Sequence, residues 1–273
     1  MVDIEKSFGR QAFGLNPAAY HSARPEYPDW VFDMLVGRCG LRPGASVFEI
    51  GPGTGTATRR LLAFGADPLV AIEPDGRLAD FLEASNATPA LQVLRTSFEE
   101  AALDEGTFDL GISATAFHWL DEEEALDKVA RLLRPGGWWA AIWHVFGDDS
   151  RPDPFHDATQ SVLTASTSPS AGHRGIPFGL DAEARTEALK RTGAFDVVEH
   201  KIVPWQLVLT TEETMGLYAT YSDITAREDM EAVLEEVGRI AREEFGGRVE
   251  RNMTTSVFVG RRAADSTTGA EGW

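Results

Sequence analysis

The stretch Ala45-Ser-Val-Phe-Glu-Ile-Gly-Pro-Gly-Thr-Gly55 constrains the chain more than any other. A short apolar run closed by glycines reads as a buried parallel strand. Glycines at alternate positions 51, 53 and 55 then let the backbone turn tightly and approach a ligand where a Cβ would clash. The amino terminus of the next helix leaves free N–H groups facing the same point. An ordinary strand-to-helix turn needs one such glycine. Residues 56–64 carry Ala57, Leu61 and Leu62 at helical spacing, Gly65 stops them, and Leu69-Val-Ala-Ile72 is a second buried run. Strand, glycine loop, helix, strand is a βαβ unit, so an α/β fold on a parallel sheet is predicted.

The alternation continues. A helix is expected over 30–37, another over 76–84, and strands over 91–94 and 108–112. Asp121 starts a further helix, with Glu124 at the capping-box position and Glu124/Lys128 and Asp127/Arg131 at i,i+4; Pro135-Gly-Gly137 stops it. A fifth strand follows over 138–143. From 147 to 180 the composition turns to Pro, Ser, Asp and Gly with one helix at about 155–165, which reads as an insertion at the sheet edge where active sites lie. Helices over 182–191, 211–221 and 227–245 and strands over 195–209 and 254–259 complete the chain, Pro204 marking the long strand as edge-like or bulged. The division expected is an amino-terminal segment 1–40, a core of 41–147 with 181–210 and 246–262, insertions at 148–180 and 211–245 forming a small helical cap, and a disordered tail, 263–273.

Composition narrows the function classes. At 273 residues the chain can bury a substantial core unaided, and no apolar run approaches the roughly 20 residues of a membrane span. The single cysteine, Cys39, allows no internal disulfide and sits where a helix-end filler would; the first residues show no secretory pattern, so a cytoplasmic protein is expected. A formal net charge of −18 argues against a phosphate-backbone partner, which requires clustered Lys and Arg. No nucleic-acid or membrane partner is expected.

The rival reading of the loop is a dinucleotide site, with the fingerprint G-x-G-x-x-G or A. Here the third glycine comes one residue early, and Thr56 stands at the fingerprint's last position. A pyrophosphate also gains little from a carboxylate, yet Glu49 ends the strand just before the loop, where it could pair with a cationic ligand.

Val47-Phe-Glu-Ile-Gly-Pro-Gly-Thr-Gly55 resembles the first motif of the class I S-adenosylmethionine-dependent methyltransferases, an acidic residue followed by G-x-G-x-G. The resemblance implies a Rossmann-like, seven-stranded, mostly parallel sheet with an antiparallel last strand. It also implies that the glycine loop of Gly51, Gly53 and Gly55, which Glu49 precedes, lies against the cofactor's amino-acid part, and that Glu73, next to Pro74, takes its ribose hydroxyls. Ser97-Phe98 stands where the family contacts adenine, and 108–120, with Ser113, matches its fourth-strand motif. Leu132-Leu-Arg-Pro-Gly-Gly137 matches the motif after that. Tyr20-x-x-x-Arg24-Pro25-x-Tyr27-Pro28 and Phe117-His-Trp119 look like the small-molecule branch that includes trans-aconitate methyltransferases and many bacterial natural-product enzymes. There the amino-terminal segment closes over the cofactor, which implies that Tyr20 and Arg24 hold its carboxylate.

The expected activity is therefore methylation of oxygen, nitrogen or carbon on a small molecule, releasing S-adenosylhomocysteine. A non-methylating rearrangement assisted by the sulfonium, or a non-catalytic binding module, are the alternatives. His118 after the fourth strand and His144 at the end of the fifth are the candidate bases, both near the carboxyl edge of the sheet. Trp119, Trp143, Tyr218 and Tyr221 are the candidate acceptor contacts, suiting an apolar or planar body with a polar handle. The acids and imidazoles of 144–157 match no metal-ligand spacing, so no metal is expected.

Overall fold

Val47–Ile50 form the central strand β1, buried on both faces. Leu69–Ile72 (β2) and Leu91–Leu94 (β3) continue the sheet on one side, and Phe108–Ala114 (β4) and Leu133–Phe146 (β5) on the other, all parallel. Phe195–Thr210 (β6) and Arg248–Arg262 (β7) complete seven strands in the order β3-β2-β1-β4-β5-β7-β6. The last strand, β7, is antiparallel to both neighbours, as expected. The computed structural model describes residues 2–3, 13–146, 151–163, 166–167, 169–172 and 175–264.

Helices α1 (Pro17–Ala23), α2 (Asp29–Gly37), α3 (Thr56–Ala63), α4 (Gly76–Ser85) and α5 (Glu122–Leu132) alternate with the strands. The period-two alternation of the strands splits the core. Phe48, Ile50, Trp139, Ala141 and Trp143 face one cluster, while Val47, Leu110, Trp138, Ala140 and Ile142 face the other with α2. Trp139, 1% exposed, packs its ring between Phe48 and Phe117, so truncating it to Ala costs about 3–5 kcal/mol.

Helices α6 (Pro154–Thr159), α8 (Thr211–Tyr218), α9 (Ser222–Thr225) and α10 (Met230–Glu243) come from the two stretches read as insertions, and α7 (Ala182–Arg191) lies between them in sequence. Phe155, Tyr218, Ile224, Val233, Val237 and Ile240 form a third core cluster with Val249 of β7. A buried ion pair ties it to the sheet: Arg251 Nε donates to Asp153 Oδ2 over 3.0 Å, both side chains almost fully buried.

Several boundaries differ from expectation. The fifth strand begins at Leu133, not at Trp138, because Pro135-Gly-Gly137 forms an irregularity inside the strand, where the register with β4 shifts between Phe108 and Leu110. The last strand starts at Arg248 rather than 254, since its exposed and buried residues alternate through charged positions and pair with Thr210 back to Phe195. The helix expected over 211–221 ends at Tyr218, and that expected over 155–165 ends at Thr159. Val2–Asp3 pairs parallel with Ser166–Thr167, a contact unforeseen in the sequence. Of the predicted tail, the Ala263 N–H still donates to Ala194 O, and 265–273 lie outside the described residues, as do 147–150 and His173.

Candidate active site

The glycine loop owes its shape to three left-handed residues, Gly51 (φ 63°), Gly53 (58°) and Gly55 (90°). A Cβ at Gly51 would stand 2.6 Å from Ala116 Cβ, and one at Gly55 2.5 Å from Leu82 Cδ1. Gly53 instead has open space where its Cβ would be. Gly51 and Gly53 line the cleft, whereas Gly55 is corrected to the amino-terminal cap of α3, packed under Leu82.

Two buried carboxylates flank the loop. Glu49 Oε2 accepts from Thr58 Oγ1 at 2.6 Å, while Oε1 is buried with no partner among the described residues. Glu73 accepts the Asp75 N–H on one oxygen and the Gly53 N–H on the other, each at 3.0 Å, leaving a lone pair on each for a ligand. Burial pushes both carboxyls up to about 7; the hydrogen bonds oppose it, and the Glu73 charge raises Glu49 further. Pro74, Ser97 and Phe98 stand on the same wall, joined by Leu78 and Glu99, which sequence reasoning missed. Ser113 does not: its hydroxyl donates to Ile50 O at 3.0 Å in the core, holding β4 to β1.

The far half of the cleft is built where β4 and β5 end. Thr115 adopts φ 57°, and its Oγ1 accepts the His144 N–H and bonds the Tyr27 hydroxyl at 2.7 Å. The Tyr27 ring stacks on His144 at 4.4 Å. Glu26 O can only accept, so His144 Nε2–H donates to it; Nδ1 then accepts from Thr255 Oγ1, which itself accepts from Trp205 Nε1. Both imidazole nitrogens are thus engaged. Burial, with the Arg24 charge, holds the ring down to about 4, so it is neutral at neutral pH. His144 lines the cleft as an anchor for the Glu26-Tyr27 backbone, not as the free base its position implied.

His118 is displaced further from expectation. Its Nδ1 accepts from Trp143 Nε1 at 3.1 Å, burial holds it down to about 3, and it is not on the cleft wall. Trp143 faces the opposite side of β5 from His144, against Phe178 and Phe258, because strand neighbours alternate. Tyr218 is also off the wall; its hydroxyl accepts from Arg251 in the third cluster. Tyr221 backs the cleft, its ring against Phe146 and its buried hydroxyl without a partner among the described residues.

Trp119, Tyr20 and Arg24 do line the cleft, and Phe13 joins them with ring contacts to Tyr20 (5.6 Å) and Trp119 (5.9 Å). Residues 13–28 lie across the site as a strap. His21 Nδ1 meets Thr54 Oγ1 of the glycine loop at 3.1 Å, and Arg24 Nη2 donates to Thr220 O at 2.8 Å. Gly14 packs so closely on Asp75 that a Cβ would stand 2.2 Å from its carboxylate. The cleft encloses about 1080 Å³ counted to its mouth. Among the described residues no three His, Cys, Asp or Glu converge as metal ligands; Asp148 and Asp149 lie outside them.

An acidic strand end, a glycine loop and a second carboxylate on the next strand define a site for a ligand with an adenosine-like body and a cationic tail. A family profile described as a methyltransferase domain matches residues 48–141. An uncharacterised methyltransferase of Mycobacterium tuberculosis is 38% identical over 211 residues, covering 77% of this chain and 76% of the relative. Among solved structures, a protein described as a type II methyltransferase from Anaeromyxobacter dehalogenans superposes with TM-score 0.60 at 21% identity, covering 88% of this chain and 97% of that one. Haemonchus contortus phosphoethanolamine N-methyltransferase 2, solved with S-adenosylhomocysteine, superposes at 0.55 with 13% identity, covering 92% and 57%. The chain belongs to the class I S-adenosylmethionine-dependent methyltransferases. The cleft fits the cofactor of that family: Glu49 offers a buried unpartnered oxygen, Glu73 two spare lone pairs, and Gly53 open space against the loop.

Proposed function

We propose that the protein methylates a small-molecule acceptor bound where β4 and β5 end, with S-adenosylmethionine held across β1 and β2. The observation that carries this reading is the division of one cleft into a carboxylate-and-glycine end and an aromatic end formed by Phe13, Tyr20, Trp119 and Phe146. When bound, the cofactor supplies an electrophilic methyl group on a sulfonium.

The chain's own part is positional. Glu49 Oε1 faces the cationic tail, Glu73 accepts from the ribose hydroxyls, and the wall of Pro74, Leu78, Ser97 and Phe98 takes the adenine. The strap excludes water through Phe13 and Tyr20. Holding a nucleophile at near-attack distance in a dry site accounts for several kcal/mol of barrier lowering without any acid or base, and effective molarities of about 10⁵–10⁸ M show the scale of this effect. His144 has both ring nitrogens engaged and His118 lies off the cleft wall, which favours acceptors that arrive already nucleophilic. The net charge of −18, and a cleft whose described lining holds one basic residue, fit a small molecule better than nucleic acid. No described helix is long and apolar enough to cross a membrane.

Calorimetry with S-adenosylhomocysteine beside NAD tests the cofactor half, and binding of NAD alone would overturn it. Mass analysis of products tests the transfer: an acceptor converted without gaining a methyl group and without cofactor consumption points to the non-methylating alternative.

A further inference from the structure

Among the described residues, Arg24 is the single Lys or Arg on the cleft wall, against the carboxylates Glu49, Glu73 and Glu99. Its guanidinium lies in a box of rings, 4.9 Å from Tyr20, 5.4 Å from Tyr221 and 5.9 Å from Phe146. One nitrogen donates to Thr220 O, Nε is buried with no partner, and no carboxylate of the described residues pairs with it. A guanidinium presents five N–H donors in one plane, and with one nitrogen on Thr220 O and Nε unpaired, donors remain for a planar acceptor such as a carboxylate. A partly buried cation without a counter-charge is costly to keep, so a ligand that supplies the charge gains what the free protein forgoes.

Its place in the fold decides which ligand that is. Phe146 and His144 end β5, two strands from the glycine loop after β1, a displacement of about 10 Å at ordinary strand spacing. Its charge acts on His118, His144, Tyr27 and Tyr221, around the ends of β4 and β5. With no free imidazole on the wall, an acceptor that is ionised before it binds needs no base.

We propose that the acceptor is an anionic small molecule, a carboxylate on a flat apolar body, and that Arg24 selects it. This rests on the methyltransferase reading above, and departs from the expectation that Arg24 holds the cofactor's own carboxylate. Carboxylate is the shared chemistry, and the two sources separate experimentally.

The test uses the full chain saturated with S-adenosylhomocysteine and titrated, by ligand-observed NMR, with benzoate, benzamide, cinnamate and cinnamamide. The expected result is that each acid binds about 10- to 100-fold more tightly than its amide. Arg24→Met should erase that preference, Arg24→Lys should recover part of it, and both should change the S-adenosylhomocysteine Kd by less than about threefold. Equal binding of acids and amides to the unaltered protein, or no binding of either acid, overturns the proposal without needing any variant. A loss of S-adenosylhomocysteine affinity in Arg24→Met with the acid preference intact assigns Arg24 to the cofactor and overturns it too. Failure of the unaltered protein to bind S-adenosylhomocysteine at all refutes the cofactor assignment instead, which is a different outcome.

Discussion

Thr255 on β7 donates its hydroxyl hydrogen to His144 Nδ1 on β5 over 2.8 Å, matching the tautomer that the Glu26 carbonyl imposes at Nε2. Because Glu26 O can only accept, Nε2 of the neutral ring carries the hydrogen and Nδ1 accepts, so the chain runs from Trp205 through Thr255 and His144 to Glu26 O. The strap is therefore held from beneath by a neutral histidine. Replacing Thr255 with Val leaves Nδ1 buried without a donor, at a cost of about 1–3 kcal/mol. Thermal unfolding should show a fall of a few degrees, S-adenosylhomocysteine affinity should drop with it, and Thr255→Ser should restore both. Unchanged melting and affinity in Thr255→Val would remove His144 from its anchoring role.

Glu73→Ala should weaken S-adenosylhomocysteine binding by about 1.5–3 kcal/mol, the worth of hydrogen bonds to a charged acceptor. Glu73 also receives the Gly53 N–H, so part of the loss comes through the loop. Glu73→Gln keeps the shape and removes the charge, and should retain some of the affinity lost in Ala. Equal Kd values for the unaltered protein and Glu73→Ala would refute the ribose assignment.

The two cleft carboxyls make binding pH-dependent. Each is raised by burial from 4.5 to about 7, so the unliganded fold binds more protons than the unfolded chain between those values. Their contribution to stability is complete below the unfolded value and is lost as pH rises through about 7. A ligand that bonds to the ionised carboxylates reverses this, so S-adenosylhomocysteine affinity should rise between about pH 6 and about pH 8, with protons released to buffer. His118 and His144, held low, act in the opposite sense below their ordinary 6.5, so the informative comparison is with Glu49→Gln. A slope equally steep in Glu49→Gln would exclude Glu49 as its source.

Gly14→Ala tests the strap from the other end. The new Cβ would meet Asp75, whose carboxylate is fixed by the Arg77 N–H and guanidinium, so the strap has to give way. Overpacking of this kind costs about 1–3 kcal/mol, and it should fall on cofactor affinity rather than on global stability because residue 14 precedes the packed core. Retention of full affinity in Gly14→Ala would show that the strap does not cover the cofactor.

The glycine loop and the strands around it were legible in the sequence because burial on both faces leaves uninterrupted apolar runs and a left-handed backbone leaves glycines. Glu49 stood out from its place at the end of a strand before the loop, and Glu73 through the resemblance to the methyltransferase motifs. His118 and His144 looked equivalent, since both sit at the same edge of the sheet; what separates them is strand alternation and hydrogen bonds to Trp143 and Thr255, the latter 111 residues away. Gly14, Thr115 and Thr220 carried no local signal at all. Their roles arise only when the strap, the end of β4 and the end of α8 meet.

The last of these meetings depends on a buried charge pair. Arg251 Nε bonds Asp153 Oδ2, and Arg251 also donates to the Tyr218 hydroxyl, whose ring lies 5.1 Å from Tyr221, which in turn flanks Arg24. Arg251→Met strands a buried carboxylate and should cost about 3–5 kcal/mol in urea unfolding. Asp153→Asn should also destabilise, through the loss of charge on Arg251. The double variant removes both charges and should cost less than the sum of the singles by about 1 kcal/mol or more, as expected of residues in direct contact. If the single costs simply add, the pair is not coupled, and the third cluster is held to the sheet by its apolar contacts alone.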